Sequence, residues 1–301
     1  MTTGYVGRFA PSLTGPLHFG SLLAALASYL DARANNGRWL LRLDDLDVPR
    51  SVPGAEREIL NALEHHALEW DGPVVRQSER TDRYRAAFSR LVDAGELFLC
   101  SCSRRSLRGL TVYPGTCRSR IIHSVSNADA ATGLAAVRIR VPATRYAFVD
   151  EVFGVQGESL DAHTGDFIVR RRDGLFAYQL AVVVDDAAAH VSHVVRGADL
   201  LDNTPRQLYL MDQLGLDPPG YAHIPVITDR TGAKLSKQTF ARAITPRDAA
   251  MNLYLALELL GQEPEPELLH AAPRVLLAWA RAHWALNQVP ATSRFSDFVS
   301  I

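Results

Sequence analysis

The sequence lacks the features that would place it in a membrane or give it a general affinity for nucleic acid. No apolar run approaches the length of a membrane span, and the N-terminus enters a predicted strand almost at once. The formal net charge is −1, so a basic surface for RNA must be a local patch. We expect a cytosolic protein without membrane contacts. At 301 residues and 47% hydrophobic content, the chain can bury a core and form more than one domain.

Two common nucleotide-binding patterns are also absent. No Gly-x-Gly-x-x-Gly run opens a predicted helix, and no Gly-x4-Gly-Lys-Ser/Thr run occurs in the chain. These absences argue against a dinucleotide-dependent dehydrogenase and against a P-loop kinase.

Lysine is nearly absent. The chain has two lysines, Lys234 and Lys237, and its other basic residues are all arginine. Arginine is a rigid planar fork and lysine a flexible point charge, so lysine suits a position where a phosphate must be followed as it moves. Chance in an arginine-biased chain is the alternative interpretation.

What the N-terminal region does contain is a glycine-bearing loop that leads into a predicted helix. Apolar residues recur at helical spacing from Leu22 to Leu30. Such a loop directs backbone N–H groups and the positive end of the helix dipole at an anion, and Gly15 and Gly20 let a ligand approach the backbone. His18 can donate a ring N–H to a phosphate oxygen. A capped helix with a surface histidine is the simpler alternative.

These two segments resemble the signature motifs of class I aminoacyl-tRNA synthetases. His18-Phe19-Gly20-Ser21 is similar to the motif written HIGH, and Lys234-Leu235-Ser236-Lys237-Gln238 is similar to the motif written KMSKS. Further blocks, over roughly residues 5 to 240, resemble the glutamyl branch in order and spacing: 8–15, 42–47, 178–186 and 196–207. The resemblance implies a Rossmann-type α/β fold with a parallel sheet, and ATP-dependent activation of glutamate.

The resemblance also implies roles for the nucleotide-binding residues. His18, Gly20 and Ser21 would hold ATP, while Lys237, assisted by Lys234, would follow the leaving phosphates; His18 and the two lysines are the implied catalytic residues. Mg²⁺ would be bound mostly through phosphate oxygens. Such a reaction needs positioning and charge stabilisation rather than covalent catalysis.

Recognition of L-glutamate needs a cation for each carboxylate and an acceptor for the ammonium group. By the resemblance, Arg8 and Arg196 are the candidate carboxylate clamps, with Ser12 and Tyr178 as hydroxyl partners. Any single arginine could instead form a surface ion pair. Asp44 stands at the expected ammonium contact, where the family has a glutamate in Arg-x-Glu-Asp, and is one methylene shorter. We expect a water or a small backbone shift to close this gap.

About sixty residues follow the lysine segment, enough for a small helical unit but too few for a further domain of ~100 residues. Helices are predicted at 251–260 and 274–286, and no anticodon-binding domain is expected. The resemblance thus narrows to a truncated paralogue within the glutamyl branch. This implies formation of glutamyl-adenylate without tRNA, then transfer of glutamate to queuosine at the wobble position of tRNA(Asp).

Two other functions remain as alternatives. A truncated glutamyl-tRNA synthetase could charge a tRNA 3′ end, and a catalytically idle relative could only bind tRNA. The intact His18, Lys234 and Lys237 argue against the idle relative, since a pure binder has no need of an ATP site.

The cysteines form a separate constellation. Cys100, Cys102 and Cys117 fall within eighteen residues and suit a tetrahedral zinc that lacks its fourth ligand. Tyr113 occupies the position where this paralogue places a tyrosine ligand, and His123 is the chemically more ordinary choice. The resemblance favours Tyr113 and one structural zinc per chain. A disulfide or free buried thiols are the alternatives.

The motif positions predict four segments. Residues 1–97 would form the first half of the catalytic domain, 98–175 a zinc-bearing insert facing tRNA, 176–241 the second half with the lysine loop, and 242–301 the helical unit. Residues 178–186 are predicted as a strand that returns the chain to the sheet, with Asp185 and Asp186 ending it in hydrogen-bonded turns. We expect a monomer. Five arginines near the cysteines are the candidate tRNA patch: Arg104, Arg105, Arg108, Arg118 and Arg120.

Overall fold

The computed structural model describes residues 4–228, 244–292 and 294–295. The two lysines, Lys234 and Lys237, lie outside the described residues. The strands are β1 Val6–Phe9, β2 Arg38–Leu43, β3 Val75–Arg76, β4 Leu97–Cys100, β5 Ala136–Ile139, β6 Arg145–Asp150, β7 Gly154–Ser159, β8 Phe167–Arg170, β9 His193–Gly197, β10 Gly220–Ile224, β11 Ile227–Thr228 and β12 Arg294–Phe295. The helices are α1 Phe19–Ala34, α2 Ala55–His65, α3 Thr81–Asp93, α4 Val125–Ala130, α5 Leu160–His163, α6 Tyr178–Ala188, α7 Thr204–Gln213, α8 Ala249–Leu259 and α9 Pro273–His283.

Two groups of mainly parallel strands lie side by side. One group has the order β1-β2-β3, and the other has the order β7-β6-β10-β9, in which only β7 pairs antiparallel. β1 and β9 are in contact at the seam, where the Ser192 N–H donates to the Val6 carbonyl oxygen over 2.9 Å. Strands of parallel sheets are buried on both faces, as β1 is along its whole length. The predicted α/β fold with a parallel sheet is confirmed.

Residues 178–188 form helix α6, so the prediction of a strand here is wrong. Leu180 to Val183 are all buried, and a continuous apolar run cannot be assigned to a buried strand or a buried helix by periodicity alone. Asp185 and Asp186 therefore do not end a strand in turns. They lie inside α6 and are themselves buried, which requires compensating partners.

The segment between the two halves divides between two sheets. β4, β5 and β8 form a small antiparallel sheet beside the cysteines. The hairpin of β6 and β7, which lies inside the range predicted for the insert, pairs instead with β10 through Asp150 and Tyr221. This pairing brings Asp150 next to β10, where its carboxylate accepts the backbone N–H of His223 over 3.1 Å.

The C-terminal helices pack on the first helix. Leu257 of α8 and Leu276 of α9 are fully buried in the same apolar cluster as Leu26 and Leu30 of α1. The indole N–H of Trp284, just after α9, donates to Asp31 of α1 over 3.0 Å. None of the described helices has both the length and the apolar character needed to cross a membrane.

Candidate functional site

A cavity of about 980 Å³ opens at the carboxyl ends of β1, β9 and β10 and beside the start of α1. In open parallel α/β sheets, ligands bind in the crevice at the carboxyl ends of the strands. The cavity has seven of the site residues predicted from the sequence among its lining residues: Arg8, Ser12, His18, Gly20, Ser21, Tyr178 and Arg196.

His18 caps α1 at the edge of this cavity. Its Nδ1 accepts the Ser21 backbone N–H over 3.2 Å, and its Nε2 lies 3.1 Å from the Ser21 hydroxyl. Because Nδ1 accepts, the neutral ring carries its proton on Nε2. A Cβ at Gly20 would lie 3.3 Å from the His18 ring. A side chain at position 20 would therefore crowd the histidine, and the close approach of a ligand to Gly20 stays a prediction.

Arg8 and Arg42 share one buried carboxylate. Nε of Arg8 lies 3.3 Å from Oδ2 of Asp186, and Nη1 of Arg42 lies 2.5 Å from Oδ1. All three side chains are nearly inaccessible to solvent. Burial by itself would raise the pKa of Asp186, but the two arginines outweigh it and hold the pKa below its usual value.

Asp185 has a second set of partners. Its carboxylate accepts from the Gln77 amide over 2.9 Å and from the Tyr84 hydroxyl over 2.7 Å, and it pairs with Arg80 at 3.3 Å. These contacts tie α6 to α3 and to the turn before it. Oδ2 of Asp185 also lies 3.8 Å from Nε of Arg42, so the two adjacent aspartates share this arginine and differ in their other partners.

Asp44 is not among the residues that line the cavity, and its predicted contact with an ammonium group stays a prediction. Its Oδ1 accepts Nε of Arg42 over 2.7 Å, and Arg42, not Asp44, is among the lining residues. A parallel bridge between Ser12 and Asp44 and a bond from the Asp44 N–H to Pro11 hold the backbone next to the end of β1. Sequence analysis missed Arg42, although it opens the matched block at 42–47.

Two guanidinium nitrogens at the cavity are buried and carry no hydrogen bond within the part of the chain that the structure describes. Nη2 of Arg42 and Nη1 of Arg196 have no partner among the described residues. The other donors of Arg196 are used: Nε bonds to His223 over 3.0 Å, and Nη2 bonds to Thr204 over 2.8 Å. Buried charged donors without partners are costly, so this part of the cavity is suited to an anion with several acceptor oxygens.

The cysteines lie together at the end of β4, remote in sequence from the cavity residues. Their Sγ atoms are within 4.8 Å of one another, and those of Cys102 and Cys117 are 3.7 Å apart, too far for a disulfide bond of about 2.05 Å. The Tyr113 hydroxyl lies 3.5 Å from Sγ of Cys100 and 4.0 Å from Sγ of Cys102. His123 is exposed, with its backbone N–H on Asn127.

These distances fit a tetrahedral zinc ion. Zn–S bonds of about 2.3 Å place two ligand sulfurs about 3.8 Å apart, and a Zn–O bond of about 2.0 Å places the oxygen about 3.5 Å from each sulfur. The three cysteines can therefore bind a metal together. The Tyr113 oxygen is at the expected distance from Cys100 and farther from Cys102, and it accepts the Cys117 N–H over 2.9 Å; its role as the fourth ligand stays a prediction. The Arg138 guanidinium lies 4.1 Å from the centre of the Tyr113 ring and covers one face of it.

The chain is similar to known proteins over most of its length. The family of class I tRNA synthetases (E and Q), catalytic domain, matches residues 5–260. A protein named glutamyl-Q tRNA(Asp) synthetase from Ectopseudomonas mendocina is 51% identical over 298 residues, which cover 99% of both chains. One of the same name from Pseudomonas aeruginosa is 51% identical and covers 96% of this chain and 97% of its own.

Solved structures show the same fold. The crystal structure of a glutamate tRNA ligase from Elizabethkingia meningosepticum in complex with its amino acid aligns with a TM-score of 0.81 at 24% identity, covering 99% of this chain and 68% of that one. A methionyl-tRNA synthetase from Mycobacterium tuberculosis aligns with a TM-score of 0.54. The chain belongs to the glutamyl-Q tRNA(Asp) synthetases, ligases built on the catalytic domain of class I tRNA synthetases.

Proposed function

We propose that this chain activates L-glutamate with ATP to glutamyl-adenylate in the absence of tRNA, and then transfers the glutamate to queuosine at the wobble position of tRNA(Asp). The observation that carries the proposal is that one guanidinium nitrogen each of Arg42 and Arg196, both of which line the cavity, has no partner among residues 4–228, 244–292 and 294–295. A substrate with two carboxylates supplies acceptors for both. The family's name supports glutamate as the substrate and queuosine as the acceptor.

The glutamate binds at the carboxyl ends of β1 and β9. Arg8 and Arg196 clamp its carboxylates, Arg42 adds a third donor, and the hydroxyls of Ser12 and Tyr178 complete the polar contacts. Asp44 neutralises the ammonium group through a water or after a small backbone shift. A ligand-bound structure in which Asp44 points away from the substrate nitrogen would contradict that role.

ATP binds over the loop and the start of α1. The dipole of α1 and the ring of His18 stabilise the phosphates, and Ser21 holds the ring in place. Mg²⁺ enters with the nucleotide on its phosphate oxygens. Lys234 and Lys237 follow the leaving pyrophosphate. Catalysis consists of alignment of the carboxylate with the α-phosphorus and neutralisation of the developing charge.

The zinc has a structural role in this proposal. Cys100, Cys102, Cys117 and Tyr113 would hold one ion, which supplies a cross-link for a segment with a small apolar core: the cysteines and Tyr113 pack only on Phe98 and Leu107 among the described hydrophobic residues. Four protein ligands leave no open position for catalysis. The exposed arginines that follow Cys102 form a local basic surface for tRNA: Arg104, Arg105 and Arg108.

The test is transfer of labelled glutamate, with ATP and Mg²⁺, to tRNA(Asp) that carries queuosine and to the same tRNA without it. We expect label on the queuosine form alone, and we expect it to persist after the 3′-terminal adenosine has been removed. ATP–pyrophosphate exchange that depends on glutamate and proceeds without tRNA tests the activation step separately.

Two results would contradict the proposal. Equal labelling of both forms of tRNA(Asp), or labelling that disappears with the 3′-terminal adenosine, would indicate a charging enzyme. A His18→Ala variant controls for contaminating synthetases. The substitution should abolish the exchange activity of this protein alone, so any activity that remains comes from contaminants.

A further inference from the structure

Arg196 stands at the end of a line of three buried side chains that leads away from the cavity. Its Nε donates to Nε2 of His223 over 3.0 Å, and Nδ1 of His223 lies 2.6 Å from Oδ2 of Asp150. β9 and β10 are parallel, and their register pairs Arg196 directly with His223. All three residues are at most 5% exposed.

Asp150 is fixed as an acceptor. Its carboxylate receives the backbone N–H groups of Val152, Phe153 and His223 over 2.9 to 3.2 Å. Burial opposes ionisation, but the hydrogen bonds from His223 and from the Phe153 N–H keep the pKa of Asp150 below its usual value. An ionised carboxylate can only accept, so the His223 proton lies on Nδ1 and leaves Nε2 as an acceptor for arginine.

The remaining surroundings of the ring also keep it neutral. Burial is the largest cause that lowers the pKa of His223, and the charges of Arg196 and Arg8 add to it, while Asp150 acts in the opposite direction. The Tyr221 ring stacks nearby, with its centroid 6.1 Å away. Protonation at Nε2 would turn the acceptor for Arg196 into a second donor facing a like charge.

We propose that His223, oriented by Asp150, is a positioning residue for substrate binding: its neutral Nε2 fixes the guanidinium of Arg196 so that Nη1 is left for a carboxylate ligand. Thr204 completes the restraint by accepting Nη2. The inference rests on the proposed function only for the identity of the ligand. A fixed guanidinium loses less conformational freedom when the ligand binds. The contribution of His223 therefore appears as a higher affinity for the ligand.

The test compares two substitutions of His223 that each keep one of its hydrogen bonds. His223→Gln places a carbonyl oxygen near the former Nε2 and can still accept from Arg196. His223→Asn places an amide N–H near the former Nδ1, and so keeps the bond to Asp150 but loses the acceptor for Arg196. His66→Asn is the matched control, because His66 is also fully buried but is bonded to Ala62 and Asn252.

In glutamate-dependent ATP–pyrophosphate exchange, we expect His223→Asn to raise KM for glutamate by about ten- to a hundredfold, the effect of losing a hydrogen bond to a charged group. KM for ATP and kcat should change little, since ground-state and transition-state binding are weakened alike. His223→Gln should restore KM for glutamate toward the wild-type value, and His66→Asn should leave it unchanged. Equal KM for glutamate in both His223 variants would overturn the inference.

A structural measurement separates this inference from the proposed function. If the wild-type protein shows no glutamate-dependent exchange, the proposed substrate is wrong, but crystal structures of the two His223 variants still decide the positioning role. A guanidinium of Arg196 displaced in the Asn variant and unmoved in the Gln variant supports the role. A guanidinium in the same place in both variants contradicts it.

Discussion

Asp186 neutralises the charges of two arginines that line the cavity. The wall of the cavity that these arginines form therefore depends on this one carboxylate. It accepts from Arg8 and from Arg42 in a region that water does not reach. Removing one partner of a buried ion pair leaves a charge without compensation, which costs more than the pair contributes. The free energy of unfolding should therefore be sensitive to this single carboxylate.

Replacement of Asp186 by alanine should lower the free energy of unfolding by about 3–5 kcal/mol, measured by urea denaturation at neutral pH. Glu69→Ala is the control, because it removes a carboxylate whose pair with Arg274 is largely exposed; a change of about 1 kcal/mol or less is expected there. Equal losses of unfolding free energy in the two variants would show that the buried ion pairs contribute no more to stability than the exposed pair.

Tyr113 places its oxygen among three sulfurs, whereas His123 does not approach the cluster. Tyr113→Phe removes that oxygen and keeps the ring, so zinc bound after dialysis against a weak chelator should fall well below the level of about one ion per chain. His123→Ala should keep the wild-type zinc content. Elemental analysis checks both, and loss of zinc in the His123 variant alone would reverse the assignment.

At the residue scale, the sequence motifs predict the parts of the site that come from short segments. Arg8, His18, Gly20 and Tyr178 are found at the cavity because each belongs to a contiguous block. The bond between Arg8 and Asp186 joins residues 178 positions apart, and no local pattern indicates such a pair. The signal in the sequence for the contact of Arg196 with His223, and through it with Asp150, was a polar His223 inside an otherwise apolar strand.

At the scale of the elements, local patterns predict the two C-terminal helices, α8 and α9, within a few residues of their observed bounds. Each of the two buries one face, with Leu253 and Leu257 in α8 and Leu276 and Ala280 in α9, and exposes the other. α6 is buried nearly all round, so its sequence carries no such contrast and was assigned to a strand. Two adjacent aspartates would be unfavourable in a buried strand without partners. In α6 they pair with arginines.

α9 should contribute to global stability although it lies far along the chain from α1. Leu276 is fully buried against the α1 cluster, while its neighbour Val275 is 52% exposed. Leu276→Ala should lower the free energy of unfolding by about 2–5 kcal/mol within a single cooperative transition. Val275→Ala is the matched control and should stay within about 0.5 kcal/mol. A separate early transition in the Leu276 variant would mean that the C-terminal helices unfold on their own.

At the scale of the whole molecule, two fully buried histidines link stability to pH. Burial lowers the pKa of both His66 and His223 below the ordinary value of 6.5. Below pH 6.5 the unfolded chain binds protons that the folded protein does not. The stabilisation is therefore present in full above that pH and is lost as the pH falls through the lower folded values.

The free energy of unfolding should thus decrease between pH 7.5 and pH 5.5, with a slope of up to about 1.4 kcal/mol per pH unit for each histidine. Urea denaturation across this range measures the slope. His66→Gln and His223→Gln each remove one titrating group and should each flatten the curve. Curves parallel to that of the wild type would show that other groups carry the dependence.

The packing of α8 and α9 on α1 also has a consequence for synthesis of the protein. Roughly 250 residues separate the end of α1 from the end of α9, which takes roughly 12 to 50 seconds at the usual 5–20 residues per second. During that interval the apolar face of α1 that packs on α8 and α9 lacks these two partners. The N-terminal half of the fold becomes complete only when the last helices have left the ribosome.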